Sequence, residues 1–136
     1  MSLVIRVTDF AAPELDVYAR TTENQLVCRE DPENGKFIAE TPMVIERALD
    51  AGYVPISFLM EEKYLENQGK AFMERCPDVP VYTAELSVLQ NLIGYPLTRG
   101  MLCAMRRPAP KRAQELLQGT SCVAILEDVM NPTNLG

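Results

Sequence analysis

Five cations that follow one another without an intervening acid are the first candidate for chemistry in this chain. They are Arg99, Arg106, Arg107, Lys111 and Arg112. Salt screens charges beyond about 8–10 Å, so phosphate contact is local and a basic stretch can bind a polyanion even on an acidic protein. The stretch therefore predicts contact with a nucleic-acid backbone, with Tyr82 and Tyr95 as the nearest aromatic partners for bases. The alternative interpretation is that these residues form a solvent-exposed loop and the start of a helix, without a ligand.

The second candidate is the motif Asn131-Pro132-Thr133-Asn134-Leu135-Gly136, which follows the acidic pair Glu127-Asp128. Asn and Gly tolerate the left-handed backbone of tight loops, and Asn adds a side-chain amide. Asn134 would thus present an amide from a loop that follows a strand. A plain turn beside two solvated carboxylates is the alternative for these residues.

Composition narrows the classes of protein and of reaction. The chain has 136 residues and a formal charge of −6, with a net −8 in residues 1–94 and a net +2 in residues 95–136. It has no His, which excludes Ser-His-Asp and Cys-His catalysis and His-ligated metals. No apolar run approaches about 18 residues, so the sequence predicts no membrane span.

The cysteines are far apart and include no CxxC pair. They are Cys28, Cys76, Cys103 and Cys122. Structural zinc sites bring their Cys ligands in close pairs, so no metal is predicted. Cys103 and Cys122 lie in apolar runs, where a free Cys behaves as a small hydrophobe. The pattern favours four buried or half-buried thiols in a reduced, cytoplasmic protein.

Strands and helices alternate through the middle of the chain. Apolar runs predict strands over Phe37–Ala39, Pro55–Met60, Val79–Tyr82 and Met101–Met105. Helical apolar stripes fill the segments between them, although Gly69 weakens the helix predicted over Glu61–Cys76. This alternation predicts an α/β fold with three α/β/α layers around a central, mostly parallel sheet.

Turn residues and apolar runs divide the chain into three parts. The turn signal Asp31–Gly35 separates an N-terminal helical arm, residues 1–35, from an α/β domain over residues 36–109. Residues 110–136 contain a short helix over Lys111–Gln118, with Leu116 and Leu117 inward, and an apolar strand over Cys122–Leu126. Because such a strand is typically buried on both faces, we expect it to begin a second domain.

The terminal motif resembles the first motif of the SpoU/TrmH family of RNA ribose methyltransferases, in the SPOUT superfamily. The residues that carry the resemblance are Asn131, Pro132, Asn134 and Gly136. Phe37–Glu40 and the apolar helix after it are similar to the family's opening substrate-binding segment, although Thr41 stands where the family often has Gly. The segment Thr98–Ala104 is similar to the Gly-centred turn into the last strand of that domain.

The resemblance implies an RNA-binding domain similar to small ribosomal proteins, followed by a knotted domain that binds S-adenosylmethionine and forms a homodimer. Methyl transfer then goes to a ribose 2′-hydroxyl of rRNA or tRNA. By the resemblance, Asn134 is the motif asparagine near the reaction centre, and the catalytic arginine and cofactor site lie beyond Gly136. We therefore expect this chain alone to be inactive, to bind no S-adenosylmethionine and to contact RNA between Arg99 and Arg112.

Two other functions stay open on the sequence alone. One is a free-standing RNA-binding module without catalysis, and the other is an acidic protein-interaction domain. Neither requires an apolar strand followed by the motif at residues 131–136, so that motif favours the methyltransferase.

Overall fold

The computed structural model describes residues 3–9, 11–94 and 100–130, which hold five strands in one sheet. The strands are β1 (Val4–Arg6), β2 (Lys36–Glu40), β3 (Pro55–Glu61), β4 (Val81–Ala84) and β5 (Met101–Arg106). The α-helices are α1 (Asp16–Ala19), α2 (Glu23–Val27), α3 (Pro42–Asp50), α4 (Gln68–Arg75), α5 (Leu86–Ile93) and α6 (Ala113–Leu117). None of the helices in this part of the chain has the length and hydrophobicity of a transmembrane segment.

The sheet is mixed, with strand order β1-β4-β3-β5-β2. β1 and β3 pair in parallel with β4, whereas β5 pairs antiparallel with both β3 and β2. The Gly100 carbonyl accepts a hydrogen bond from the Glu61 N–H at 2.8 Å, so β5 begins where β3 ends and runs back beside it. Four strands point one way and β5 points the other. The α/β class and the strands predicted at β2 to β5 are confirmed.

Helices cover both faces of the sheet, which confirms the three layers. α3 and α4 pack on one face, and α1 and α5 pack on the other. Along β5 the side chains alternate between the two cores. Met101, Cys103 and Met105 face α3 and α4, whereas Leu102 and Ala104 face α1 and α5. All five are buried, so β5 contributes side chains to both cores.

The segment before Lys36 packs on the sheet. β1 adds an edge strand beside β4, and Leu15 and Tyr18 are buried against the sheet. The Tyr18 hydroxyl donates to the Ser57 carbonyl at 2.8 Å, lies 2.7 Å from Ser57 Oγ, and accepts the Ala104 N–H at 3.3 Å. One phenol therefore joins α1 to two neighbouring strands. Desolvation by burial raises the pKa of Tyr18.

The structure corrects two expectations for residues 110–130. α6 forms, but Leu116 and Leu117 are 56% and 51% exposed and do not face a core. Cys122–Leu126 is not a strand, and Cys122 is exposed. A strand needs a partner for its backbone hydrogen bonds, and no described strand pairs with these residues.

Thr41 joins β2 to α3 through a backbone conformation that non-glycine residues rarely adopt. Its φ is 80° and its ψ is 146°. The Thr41 N–H donates to the Met101 carbonyl at 3.1 Å, and Thr41 Oγ1 accepts the Val44 N–H at 3.5 Å as the N-cap of α3. Positive φ is the region in which glycine is favoured, so this residue carries strain.

We expect Thr41→Gly to raise the free energy of unfolding by about 0.5–2 kcal/mol. Relief of about 1–3 kcal/mol of backbone strain exceeds the loss of a long capping bond and the added unfolded-state entropy of glycine. Urea denaturation followed by circular dichroism measures the change. Thr41→Ala is the control, because it keeps the strain, loses the cap and should destabilise. Destabilisation by both variants would contradict the strain at this position.

Candidate nucleic-acid interface

The described residues of the basic stretch are all exposed, but they do not form one cluster. Arg106 lines a depression with Glu33, Asn34 and Lys36, whereas Arg107 lies over the Phe37 ring. Four ion pairs occur among the described residues, and none involves the cations of this stretch. These cations are therefore available to an anion, on two surfaces.

The other described cations of the stretch are Lys111 and Arg112. Lys111 is exposed, and Arg112 is the N-cap residue of α6, where its carbonyl accepts the N–H groups of Glu115 and Leu116 at 3.0 and 3.1 Å. Arg99 and the aromatic residue Tyr95 lie outside the described residues.

Arg107 is held at the end of β5 by backbone contacts. Its N–H donates to the Gly35 carbonyl at 2.8 Å, and its Nε–H donates to the Lys36 carbonyl at 3.4 Å. Its Cζ atom lies 6.0 Å from the centre of the Phe37 ring, which is a cation–π distance. These contacts use one guanidinium N–H and leave the terminal amino groups for a ligand.

A cleft of about 590 Å³ opens beside Arg107, where β2 begins and β5 ends. Phe37 and Tyr53 meet there edge to face, with ring centres 5.1 Å apart and planes 79° apart. We call it the aromatic cleft; its lining residues are Val27, Arg29, Pro32, Phe37, Tyr53, Arg107, Pro108 and Pro110. It combines two aromatic rings and two guanidinium groups without a lining acid.

Sequence reasoning missed three residues of this cleft. Arg29 is hidden in the sequence by the acids at 30, 31 and 33, and Phe37 reads as an ordinary strand residue. Tyr53 follows α3, and nothing in the sequence relates it to Arg107. The aromatic residue named from sequence, Tyr82, packs on the other face with the α1 and α5 core, where burial and then the nearby Glu14 raise its pKa.

The terminal motif is only partly within the described residues. Glu127 and Asp128 are exposed, and Asp128 has a left-handed backbone with a φ of 53°. Asn131, Pro132, Asn134 and Gly136 lie outside the described residues. The role of Asn134 therefore stays a prediction.

The cysteines and carboxylates do not assemble a site in the part of the chain that the structure describes. No group of three or more His, Cys, Asp or Glu side chains there is arranged to hold a metal ion. Burial raises the pKa of the Cys103 thiol, and desolvation also raises that of Cys76. A raised thiol pKa disfavours the reactive thiolate, and both cysteines pack in the core on the α3 and α4 side of the sheet.

Curated sequences similar to this chain carry one description. A protein of Mycobacterium bovis and one of Mycobacterium tuberculosis, each named an uncharacterized tRNA/rRNA methyltransferase, are 33% and 32% identical to it over 133 residues. The match covers 96% of this chain and 44% of each relative, so the chain spans a little under half of their length. No family model matches the chain.

Solved structures with the same fold carry a related description. An rRNA methyltransferase from Sinorhizobium meliloti superposes with a TM-score of 0.54 at 18% identity, over 79% of this chain and 38% of that one. An RNA 2′-O ribose methyltransferase superposes with a TM-score of 0.54 at 25% identity, over 79% of this chain and 39% of that one. The sequence relatives and the shared fold agree: over 96% of its length this chain is homologous to proteins named tRNA/rRNA methyltransferases.

Proposed function

We propose that this chain is the RNA-presenting portion of a ribose 2′-O-methyltransferase that acts on rRNA or tRNA. The observation that carries the proposal is the match over 96% of the chain to proteins named tRNA/rRNA methyltransferases. The exposed cations beside an aromatic cleft support the presentation of RNA, since phosphates and unpaired bases require those two chemistries. Methyl transfer itself is proposed for the whole protein, which we expect to be a cytoplasmic homodimer.

Residues 110–136 are proposed as the start of the methyltransferase domain. Seven large apolar side chains between residues 116 and 130 are exposed, among them Ile125 at 89% and Met130 at 99%. Exposed apolar surface of this kind marks a surface that another part of a protein covers. Because this chain spans a little under half of the relatives' length, we propose that a following domain of the same polypeptide covers these side chains.

S-adenosylmethionine is the methyl donor proposed for the whole protein. A structural neighbour, an rRNA methyltransferase from Sinorhizobium meliloti, is described with AdoMet bound. The described residues do not fit this cofactor: the aromatic cleft carries two arginines and no acid to meet a sulfonium cation, and residues 106–130 are exposed throughout. No step of methyl transfer is therefore assigned to these residues, and we expect the chain alone to be inactive.

The basic stretch is expected to set the salt dependence of RNA binding. Each neutralised phosphate of a single strand releases about 0.7 counterion, so loss of three contacts should reduce the log–log salt slope by about 2. Filter binding of a structured RNA across a salt series compares the parent chain with Arg106→Ala/Arg107→Ala/Arg112→Ala. Affinity at low salt should also fall.

A matched control removes three cations from elsewhere on the surface. Arg47→Ala/Lys70→Ala/Arg75→Ala lowers the net charge by the same amount, and its sites are on α3 and α4. It should leave most of the slope in place. Equal slopes for the parent and the first triple variant would remove the basic stretch as the RNA surface. A parent chain and a full-length protein that both fail to bind RNA would favour the protein-interaction alternative.

A further inference from the structure

We propose that the aromatic cleft takes an unpaired RNA base, which stacks on its exposed ring while the two arginines contact the flanking phosphates. The inference rests on the proposed function, because it names the feature of the RNA that this surface selects. It adds a recognition site, formed by Arg29, Phe37, Tyr53 and Arg107, to the backbone contacts of the basic stretch.

The size and the accessibility of the cleft suit one base with its sugar. Its volume of about 590 Å³ lies within the range of about 300–1,000 Å³ typical of small-ligand sites. Tyr53 is 38% exposed, whereas Phe37 is half-buried and packs against the Tyr53 ring in the edge-to-face contact. A base can therefore reach an aromatic surface that is already held in place.

The charge of the cleft selects an anionic ligand. Arg29 and Arg107 are exposed, and neither forms an ion pair with a described residue. A second cleft of about 560 Å³ differs, because Glu14 and Asp16 are among its lining residues. In a chain of net charge −6, an acid-free cleft with two arginines attracts phosphates. Stacking on rings and guanidinium planes favours RNA over an acidic peptide.

The backbone around the cleft is fixed before a ligand arrives. Gly35 is buried between the α2 end and Arg107, and a Cβ atom there would lie 2.9 Å from the Val27 carbonyl oxygen and 3.3 Å from Arg107 Cβ. A glycine at this position therefore lets the loop that carries Arg29 approach β5. Pro32, Pro108 and Pro110 restrict the backbone around the opening. Because the backbone is already ordered, binding costs less conformational entropy, and the affinity is higher.

The test compares two labelled RNAs of equal length, a hairpin with a six-nucleotide unpaired loop and a blunt duplex, in fluorescence anisotropy with the 136-residue chain. Tyr53→Ala should weaken binding of the hairpin by about 5- to 150-fold, the range for loss of one base–aromatic stack. Binding of the duplex should not change. The salt slope should also stay constant, because Tyr53 carries no charge. Tyr53→Phe should restore the affinity for the hairpin.

Two further variants test the supporting ring and the general loss of apolar surface. Phe37→Leu keeps the cleft filled but removes the supporting ring, and it should weaken hairpin binding. Met43→Ala removes an exposed apolar side chain from α3 and should change neither affinity.

The failures of the inference and of the proposed function are distinguishable. A folded Tyr53→Ala chain that binds the hairpin as tightly as the parent overturns the base site, while the proposed function stands. A parent chain that binds neither RNA overturns the inference, and a full-length protein that also binds neither RNA overturns the proposed function. Tyr53-dependent binding of a poly-glutamate peptide, with RNA binding independent of Tyr53, overturns the base site in favour of a peptide ligand.

Discussion

Tyr18→Phe is expected to lower the free energy of unfolding by about 1–3 kcal/mol, although it removes a single oxygen atom. That oxygen is buried and contacts the Ser57 carbonyl, Ser57 Oγ and the Ala104 N–H. The pairing of β3 with β5 is irregular between Pro55 and Ser57, so the hydroxyl supports the sheet at this break in its ladder. Its loss leaves buried polar groups without that partner, and each unsatisfied group costs about 1–3 kcal/mol.

The same residue should make the protein sensitive to alkaline pH. Because burial raises the pKa of Tyr18, the folded state holds the phenol proton more tightly than the unfolded state does. This contribution to stability is complete below the ordinary tyrosine pKa of about 10 and is lost progressively as the pH rises above it. Urea denaturation at pH 7 and at pH 10.5 measures both effects.

Tyr53→Phe is the matched control for this prediction. Tyr53 is partly exposed, so loss of its hydroxyl should change the free energy of unfolding by less than about 0.5 kcal/mol. The alkaline loss of stability should be smaller in Tyr18→Phe than in the parent. A Tyr18→Phe chain as stable as the parent at both pH values would show that the contacts of this phenol do not support the fold.

Gly69→Ala is expected to lower the free energy of unfolding by about 1–3 kcal/mol. This change is opposite in sign to the one that helix propensity predicts. Propensity alone predicts a gain of about 1 kcal/mol in α4. Gly69 is buried, however, and a Cβ atom there would lie 2.5 Å from both Met60 Sδ and the Tyr64 carbonyl oxygen. The sulfur can move, but the backbone oxygen cannot move without shifting the turn that precedes α4.

Lys70→Ala is the control for Gly69→Ala, because Lys70 is exposed in the same turn of α4. Its effect should stay within about 0.5 kcal/mol. Thermal and urea denaturation of the two variants decide between propensity and packing. A Gly69→Ala chain more stable than the parent would mean that α4 is able to move away from β3.

The elements of the fold could be predicted from sequence better than their arrangement. The apolar runs at Pro55–Met60 and Met101–Met105 contain enough successive apolar residues to identify buried strands. The order of the strands in the sheet could not be predicted. β5 lies between β3 and β2, and this position depends on the path of the chain that precedes β5. The strand predicted over Cys122–Leu126 was wrong because apolar character indicates only a preference for burial. A strand also requires a neighbouring strand with free backbone groups.

The candidate site was predictable only in its charge. Arg106 and Arg107 are adjacent in sequence, but side chains alternate in direction at the end of β5. Arg107 therefore lines the aromatic cleft, whereas Arg106 lines a different depression. The rings of the aromatic cleft come from β2 and from the residues after α3, and the arginines come from two distant segments. Such a site exists only once the sheet has formed, so sequence spacing contains no sign of it.

The position of β1 at the sheet margin has a consequence for the order of folding. Val4 pairs with Val81, so this three-residue ladder closes a loop that contains most of the chain. Closure of a long loop costs entropy that few hydrogen bonds can offset, and contacts of this kind tend to form late. We expect the β1 amides to exchange with solvent faster than those of β5. While β1 is detached, β4 presents a free edge, so a partly folded population would be open to strand pairing between two molecules.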